Sequence, residues 1–259
     1  MTPYQKFKED CQDEIEQISD NPTIFKLTKE WINTANRLKY SYHFEWLGRP
    51  IIQYPQDIIA MQEVIWEVKP DLIIETGIAH GGSLIFSATM LAMLDMCDAI
   101  ELGSAFDPKK SNRKVLGIDI DIRQHNKEAL EYHPMASRIQ MVQGSSISPE
   151  IITQVENIAC NYNRVLICLD SNHTHEHVLS ELKAYAPLVS LGSYCIVFDT
   201  IIEDLEVDNC TYRPWGPGNN PKTAVWEYLK VNKNFEIDKK IQHKLLITVA
   251  PDGYLKRVE

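Results

Sequence analysis

From residue 56 onward, short apolar segments alternate with segments of helical periodicity. The apolar segments lie at about 71–75, 114–119, 138–142, 164–169 and 192–198. Buried strands separated by helices run parallel, because each helical crossover carries the chain back to the same end of the sheet. Helices then cover both faces of that sheet. The alternation therefore predicts an α/β fold with a mostly parallel, doubly wound sheet.

The N-terminal part of the chain has a different pattern. Residues 4–38 carry two apolar stripes at helical spacing, separated by the turn-like sequence SDNP, and so predict two helices. Residues 39–55 mix aromatic residues with Gly48, Pro50 and Pro55, which predicts an ordered connecting segment without regular structure. We therefore divide the chain into an N-terminal helical extension with its connecting segment, 1–55, and one domain, 56–259.

Two stretches of the domain depart from the alternation. Residues 199–221 are first acidic and then rich in proline and glycine, and a loop this long in a compact domain predicts a functional lid. After a last helix, the apolar runs 234–238 and 244–250 precede the polar tail DGYLKRVE. The strand pairing of this tail stays open.

Composition excludes several classes of partner. The formal net charge of -10 argues against nucleic acid as a partner, because proteins that bind it concentrate lysine and arginine on one face.

The six cysteines form no C-x-x-C pair and several lie in apolar runs, which predicts reduced thiols in the core. The N-terminus lacks the apolar region of a signal peptide, and no membrane span is expected. These features predict a cytoplasmic protein.

Small and acidic residues follow the five predicted strands. Ligands of open α/β sheets bind beyond the carboxyl ends of the strands, so these residues are the candidate site. In strand order they are Glu75, Gly77, Gly81, Gly82 and Ser83; Asp119 and Asp121; Gly144, Ser145 and Ser146; Asp170 and His173; and Asp199.

The segment ETGIAHGGS, residues 75–83, lacks the G-x-G-x-x-G spacing of a dinucleotide fold, and Glu75 would repel a diphosphate. An acid beside glycines suits a ligand with a positive or hydrogen-donating end. Asp119, at the end of the next strand, is placed to accept hydrogen bonds from ribose hydroxyls. S-adenosylmethionine has both features. The alternative is that Ser83 caps a helix and the glycines form a turn without any ligand.

Three histidines, His173, His175 and His177, follow the fourth strand, but the Asp-His pair of an H-x-H-x-D-H metallohydrolase is absent. Helical periodicity places His173 and His177 on one face and His175 on another, so the three do not converge on one metal. We interpret His175 and His177 as structural. His173 is the candidate general base, with an exposed histidine without a role as the alternative.

Asp170 and Asp199 follow adjacent predicted strands, which brings their carboxylates together at one edge of the sheet. Oxygen ligands of this kind favour Mg²⁺ with several retained waters. The alternative is a pair of aspartates that cap helices or anchor loops.

In this order, ETG-x-x-x-GGS, GIDID and LDS-x-HTH-x-HV resemble the cephalosporin hydroxylase family, from residue 46 to residue 257. Despite its name, that family has the fold of S-adenosylmethionine-dependent methyltransferases and includes rhamnosyl O-methyltransferases. The resemblance implies a Rossmann-like class I methyltransferase that methylates a sugar hydroxyl of a polysaccharide, glycolipid or natural product. It also implies a homo-oligomer, which the aromatic residues of the N-terminal third support.

The resemblance also implies roles for individual residues. Those around the cofactor are Glu75, Thr76, Gly77, Gly81, Gly82, Ser83 and Asp170 at the methionine end, Asp119 at the ribose, and Ser145 and Ser146 at the adenine. A divalent metal is implied at Asp170 and Asp199, with His173 as the base and Asp170 as a second catalytic residue. Metal-dependent relatives carry a Glu-Asp pair where this chain has Phe198-Asp199, and Glu203–Asp204 is a candidate replacement.

Two other functions remain open. The hydroxylase activity of the family name requires an iron site, but two histidines and one carboxylate cannot be assembled from the strand ends. A non-catalytic, cofactor-binding partner subunit is supported by Phe198 and opposed by the intact Asp170 and His173. If the protein is an enzyme, the predicted walls of the substrate site are Tyr42, Trp46, Tyr212 and Trp215, with core or interface packing as an equal alternative for each.

Overall fold

A computed structural model of the chain describes residues 1–206 and 212–259. Its helices are α1 (Pro3–Ser19), α2 (Pro22–Arg37), α3 (Pro55–Val68), α4 (Gly82–Leu102), α5 (Gln124–Glu131), α6 (Pro149–Ala159), α7 (His175–Tyr185), α8 (Pro221–Val231) and α9 (Lys239–Leu245). Its strands are β1 (Phe44–Trp46), β2 (Arg49–Ile51), β3 (Leu72–Thr76), β4 (Lys114–Asp119), β5 (Ile139–Gln143), β6 (Val165–Leu169), β7 (Tyr194–Val197), β8 (Phe235–Ile237) and β9 (Tyr254–Arg257).

The centre of the molecule is a seven-stranded sheet with the order β5-β4-β3-β6-β7-β9-β8. The strands from β3 to β7 run parallel, and only β9 is antiparallel to its neighbours β7 and β8. Each of the five predicted strands overlaps one of β3 to β7. The sequences of these strands are continuous apolar runs because helices cover both faces of the sheet. The prediction of a mostly parallel, doubly wound α/β fold is confirmed.

The C-terminal prediction was incomplete. The apolar run 244–250 is not a strand, because α9 ends at Leu245 within it. The polar tail instead forms β9, which lies between β7 and β8. Tyr254 and Leu255 are buried in this strand, while Lys256 reaches Glu67 at 3.0 Å and Arg257 donates to the Pro187 carbonyl at 2.9 Å. Long basic side chains whose charged ends reach the surface conceal the strand in the sequence.

The connecting segment also contains regular structure, contrary to the prediction. After a 3-10 turn at Tyr40–His43, β1 and β2 pair as an antiparallel hairpin. Leu47 and Gly48 between them both have positive φ, at 45° and 82°, as a two-residue type I′ turn requires. Leucine is rare in that conformation, so only Gly48 of the two turn residues signals a turn in the sequence.

The hairpin packs on the N-terminal end of α4. A Cβ atom at Gly82 would lie 2.2 Å from the Pro50 carbonyl oxygen, so the two backbones touch. This contact places the segment that follows β2 at the carboxyl edge of the sheet. The division of the chain at residue 55 stays a prediction.

Helix α4 belongs to the core of this fold. By length and composition alone it could cross a membrane. Its inner side, which includes Leu84, Ile85, Ala88 and Leu91, is fully buried against the sheet. Burial inside the protein accounts for the apolar character of this side, whereas Met93, Ile100 and Leu102 of the same helix are exposed.

Candidate functional site

A cleft of about 420 Å³ lies beyond the carboxyl ends of β3, β6 and β7. It is lined by residues between 36 and 54, by the glycine segment from 77 to 83, by residues between 199 and 205, and by Arg213 and Trp215. Asp170, Ser171 and His173 also line it. The cleft is therefore at the edge of the sheet where the sequence predicted it.

The glycine segment comes into close contact with the end of β6. Gly77 has a φ of 88°, and a Cβ atom there would lie 2.1 Å from the Asp170 carbonyl oxygen. Gly81 is the N-cap of α4 and has a φ of 83°. The backbone can therefore turn from β3 into α4 directly beside Asp170, which no residue with a side chain would permit at position 77.

Glu75 is 4% exposed, at the end of β3. The Ser83 hydroxyl donates to its Oε1, so Ser83 is not the helix cap of the alternative interpretation. Burial raises the pKa of the Glu75 carboxyl to about 7. No basic side chain pairs with it within residues 1–206 and 212–259. A buried acid in this state favours a ligand that brings a donor or a positive charge.

Thr76 and Asp119 support the backbone of the site. Thr76 is fully buried, and its carbonyl accepts the Asp170 amide at 3.0 Å. Asp119 Oδ2 accepts the amides of Ile78 and Ala79 at 2.8 and 3.3 Å. Asp119 thus fixes the glycine segment. Each carboxylate oxygen can accept more than one hydrogen bond, so a bond to ribose remains open.

Ser145 and Ser146 follow β5, as predicted, but neither lines the cleft. The Ser146 hydroxyl donates to Glu181 at 2.6 Å, and Ser171 donates to the same oxygen at 2.7 Å. His177 Nε2 lies 3.4 Å from this oxygen, and Glu181 itself is fully buried. This network joins the end of β5 to the turn after β6, and it confirms the structural interpretation of His177.

Asp170, His173 and Asp199 form a cluster at the cleft. Each offers a ligand atom, and these atoms lie within 4.8 Å of one another. His173 Nε2 is 3.2 Å from Asp199 Oδ2. Burial, followed by the charges of Asp199 and Glu75, raises the pKa of Asp170 well above its usual range. The cluster therefore favours a positive charge among its members.

Neither aspartate caps a helix through its side chain, while the alternative that the two anchor loops stays open. The residue that caps α7 is Thr174, and Asp199 makes no side-chain cap bond to the 3-10 turn that follows it.

The predicted common face of His173 and His177 is wrong. Because α7 begins only at His175, His173 lies in the preceding loop, where its ring packs edge-on against Trp215 at 4.8 Å.

His175 is structural, as predicted. Its Nδ1 lies 2.8 Å from the Thr223 hydroxyl and its Nε2 lies 3.2 Å from Glu227, both on α8. It therefore joins the start of α7 to α8 and takes no part in the cluster.

Glu203 and Asp204 do not replace the missing carboxylate. Glu203 accepts the Gly218 amide at 2.7 Å, and Asp204 pairs with Lys222 at 2.5 Å. Both therefore hold the loop against the start of α8. Phe198, at the position of the missing acid, is 6% exposed and packs in the core.

Gln53 is a site residue that the sequence did not reveal. It is 7% exposed and lines the cleft, and its Nε2 donates to Asp170 Oδ2 at 3.4 Å. Its Oε1 is buried and has no hydrogen-bond partner in the described parts of the chain. Nothing in the sequence around it signals this position, because the packing of the hairpin on α4 creates it.

Two of the four predicted aromatic walls line the cleft. These two are Tyr42 and Trp215. Trp46 instead packs on Phe86, at a ring distance of 5.0 Å, and Tyr212 is fully exposed outside the cleft. Residues 207–211 of the predicted lid lie outside the described residues.

Known proteins match both the sequence and the fold. Residues 38–258 match the profile of the family described as Rhamnosyl O-methyltransferase/CmcI. The chain is 31% identical over 207 residues to a rhamnosyl O-methyltransferase of Mycobacterium bovis (strain BCG / Pasteur 1173P2). This match covers 78% of this chain and 73% of that protein.

Two solved structures share the fold. CmcI with Mg and S-adenosylmethionine matches with a TM-score of 0.51 at 20% identity, over 84% of this chain and 78% of that one. The apo structure of CalS11, a TDP-rhamnose 3'-O-methyltransferase of calicheamicin biosynthesis, matches with a TM-score of 0.51 at 15% identity, over 99% and 95%. The predicted methyltransferase fold is confirmed.

Proposed function

The chain belongs to the rhamnosyl O-methyltransferase/CmcI family, and from this premise we propose that it is an S-adenosylmethionine-dependent O-methyltransferase acting on a sugar hydroxyl. One observation carries the proposal. The glycine segment and the Asp170–His173–Asp199 cluster meet at one edge of the sheet, around a single cleft. The buried Glu75 accepts from Ser83 of that cleft and lines the small cavity behind it. A cofactor site and a proton-accepting group are thus placed side by side.

The charge of the site supports a cationic cofactor. Burial raises the pKa of Glu75, and burial followed by the charges of Asp199 and Glu75 raises the pKa of Asp170. A positive ligand favours the ionised form of both carboxyls. When bound, S-adenosylmethionine supplies an electrophilic methyl group on a positively charged sulfur. We assign Glu75, Thr76, Gly77, Gly81, Gly82, Ser83 and Asp170 to its methionine end and Asp119 to its ribose. The resemblance assigns Ser145 and Ser146 to its adenine, but neither residue lines the cleft.

A divalent metal also fits. Asp170 and Asp199 would hold it, since Mg²⁺ commonly binds through one or two carboxylates and keeps several waters. When bound, Mg²⁺ supplies Lewis acidity that favours the deprotonated form of a hydroxyl. CmcI, to which the chain is similar in fold, was solved with Mg. Phe198 leaves this chain with one carboxylate fewer than the resemblance implies, so retained waters complete the proposed site.

His173 is the proposed general base. Its contact with Asp199 orients the ring, and a proton on Nε2 leaves Nδ1 as the acceptor. As the sugar oxygen bonds to the methyl carbon, the bond from that carbon to sulfur breaks and the hydroxyl proton passes to His173. The products are a methyl ether, a neutral thioether and a protonated imidazole. A positioned base typically contributes about 10²–10⁴-fold to such a step.

Two alternatives are less well supported. A hydroxylase iron site of two histidines and one carboxylate does not match the cluster, which holds one histidine and two carboxylates in the described residues. A non-catalytic partner subunit would explain Phe198 but not the ordered contact between His173 and Asp199. A cytoplasmic location, a homo-oligomeric state and a lid at 199–221 remain predictions.

The first test is a calorimetric titration of the protein with S-adenosylhomocysteine, in excess Mg²⁺ and again in EDTA. Micromolar binding is expected in Mg²⁺, and weaker binding in EDTA would indicate a functional metal. Methyl transfer is then assayed on free, nucleotide-linked and lipid-linked rhamnosides. Binding without turnover on any acceptor would favour the partner subunit, and the absence of binding in both buffers would reject the proposed function.

A further inference from the structure

Gln53 lies at the floor of the cleft with its side-chain amide under-bonded. Its Nε2 makes one long hydrogen bond, 3.4 Å, to Asp170 Oδ2, and its Oε1 has no partner in the described residues. A buried polar atom without a hydrogen-bond partner destabilises the folded protein. A bound ligand that completes the hydrogen bonds of this amide removes the cost of burying it.

The surroundings of Gln53 select a cationic donor. Gln53 lines the cleft and also a small cavity of about 20 Å³ behind it, whose other polar groups include Asp57, Glu75, Asp170 and Ser83. Three of these are acids, and among the described residues no lysine, arginine or histidine lines that cavity. A positively charged hydrogen-bond donor is therefore favoured over the neutral hydroxyl of a sugar.

The Gln53 amide can reach such a donor by a small movement. The last side-chain torsion of glutamine is soft, and a half-turn about it exchanges the positions of Oε1 and Nε2. The oxygen then faces Asp170 Oδ2, so two acceptors converge on one point. That arrangement is favourable only when a cation lies between them.

We propose that Gln53 and Asp170 together bind the α-ammonium group at the amino-acid end of the cofactor, with Gln53 Oε1 as one acceptor. This inference rests on the proposed function, since it assumes the cofactor named there. It gives Gln53 a binding role that also positions Asp170. The small cavity places it beside Glu75 and Ser83, at the same end of the cofactor.

The test compares two ligands that differ in the amino-acid end. S-adenosylhomocysteine and 5'-methylthioadenosine, which lacks the amino-acid end, are titrated in EDTA into the wild type and Gln53→Leu. For the variant, we expect S-adenosylhomocysteine to bind roughly 10- to 100-fold more weakly, as for a lost hydrogen bond to a charged group. The dissociation constant of 5'-methylthioadenosine should change by less than about threefold, which corresponds to a small difference in binding free energy.

Two further variants make the comparison sharper. Gln56 also has a buried Oε1 without a partner in the described residues but lies outside the cleft, so Gln56→Leu is the matched control and should bind both ligands normally. Gln53→Glu keeps the acceptor oxygen and should restore most of the affinity for S-adenosylhomocysteine. The thermal midpoint of Gln53→Leu should be unchanged or higher, because the substitution removes an unsatisfied buried amide; if Gln53→Leu fails to fold, Gln53→Met replaces it.

Each other outcome has a definite meaning. Equal losses for both ligands would show a merely structural role and overturn the inference, as would unchanged affinity for S-adenosylhomocysteine. Weaker Mg²⁺ binding with unchanged S-adenosylhomocysteine affinity would make Gln53 a metal ligand instead, which also overturns it. If the wild type binds neither ligand, the proposed function itself fails, and the two failures are thereby distinguished.

Discussion

His173 Nε2 lies 3.2 Å from Asp199 Oδ2, and this contact joins the loop after β6 to the end of β7. Asp199 holds a φ of 54°, a conformation that costs energy for a residue with a side chain. Trp215 packs edge-on against the other side of the imidazole. The ring is thus fixed by a carboxylate and an indole, as an oriented general base requires.

Substitution of His173 by alanine should lower kcat by about 10²- to 10⁴-fold, because the hydroxyl loses its proton acceptor. The dissociation constant of S-adenosylhomocysteine should stay within about twofold of the wild-type value, which corresponds to a negligible difference in binding free energy. Rapid-quench or steady-state methyl transfer measures the first quantity and calorimetry the second. The matched control is His125→Ala, an exposed histidine of α5 outside the cleft. Turnover within about threefold of wild type would remove His173 from its role.

Removal of the metal should lower methyl transfer without unfolding the protein. EDTA is expected to reduce activity, and added Mg²⁺ or Mn²⁺ to restore it. Asp199→Asn should weaken Mn²⁺ binding, measured by electron paramagnetic resonance, by about tenfold or more, because a neutral amide replaces a carboxylate ligand. Asp204→Asn is the control, since Asp204 pairs with Lys222 and not with the cluster. Equal Mn²⁺ affinities of all three proteins would show that the cluster holds no metal.

Glu75 should make the ligand-free protein less stable as pH rises. Its pKa is raised from 4.5 to about 7, so the folded state binds this proton more tightly than the unfolded state. Its contribution is fully present below about pH 4.5 and is lost as pH rises through about 7. The loss is on the order of 3 kcal/mol. Urea unfolding at pH 5 and pH 8 should show it in the wild type.

The Glu75→Gln variant provides the comparison, because an amide of the same shape does not titrate. The difference in unfolding free energy between variant and wild type should grow from pH 5 to pH 8. A cationic ligand should offset the loss, so S-adenosylmethionine should stabilise the wild type more than the variant at pH 8. Parallel pH profiles for the two proteins would contradict the assignment.

The parts of the fold that the sequence predicted are those fixed by burial alone. Strands β3 to β7 are apolar on both sides because helices cover both faces, and that leaves a direct signal. Strand β9 lies in the same sheet, yet Lys256 and Arg257 extend to surface partners and disguise it. The β1–β2 turn was missed because Leu47 adopts a φ of 45°. Local patterns cannot report a conformation that long-range packing imposes.

The same distinction holds within the site. Glu75 lies at the end of β3, and Asp170 and Asp199 come within two residues of the ends of β6 and β7, so the strand-end rule finds them from the sequence. Gln53 follows no sheet strand of the domain. It reaches Asp170 only because Gly82 lets the hairpin backbone pack against α4. Its position depends on a contact between two backbones some thirty residues apart, and no periodicity encodes that contact.

Trp215 should contribute to binding of the acceptor more than to the chemical step. It lines the cleft, and the Arg213 guanidinium lies over its ring at 5.4 Å. Trp215→Ala should raise the KM for the sugar about tenfold, typical for removal of a central aromatic contact. A smaller fall in kcat is expected, because the His173 ring loses its edge contact.

The matched control is Trp226→Ala, a half-exposed tryptophan of α8 outside the cleft. It should leave both kinetic constants close to those of the wild type. The dissociation constant of S-adenosylhomocysteine should be normal for both variants, because neither tryptophan is among the cofactor residues proposed above. If Trp215→Ala weakened S-adenosylhomocysteine and left the sugar KM unchanged, the indole would belong to the cofactor site and the acceptor would be bound elsewhere.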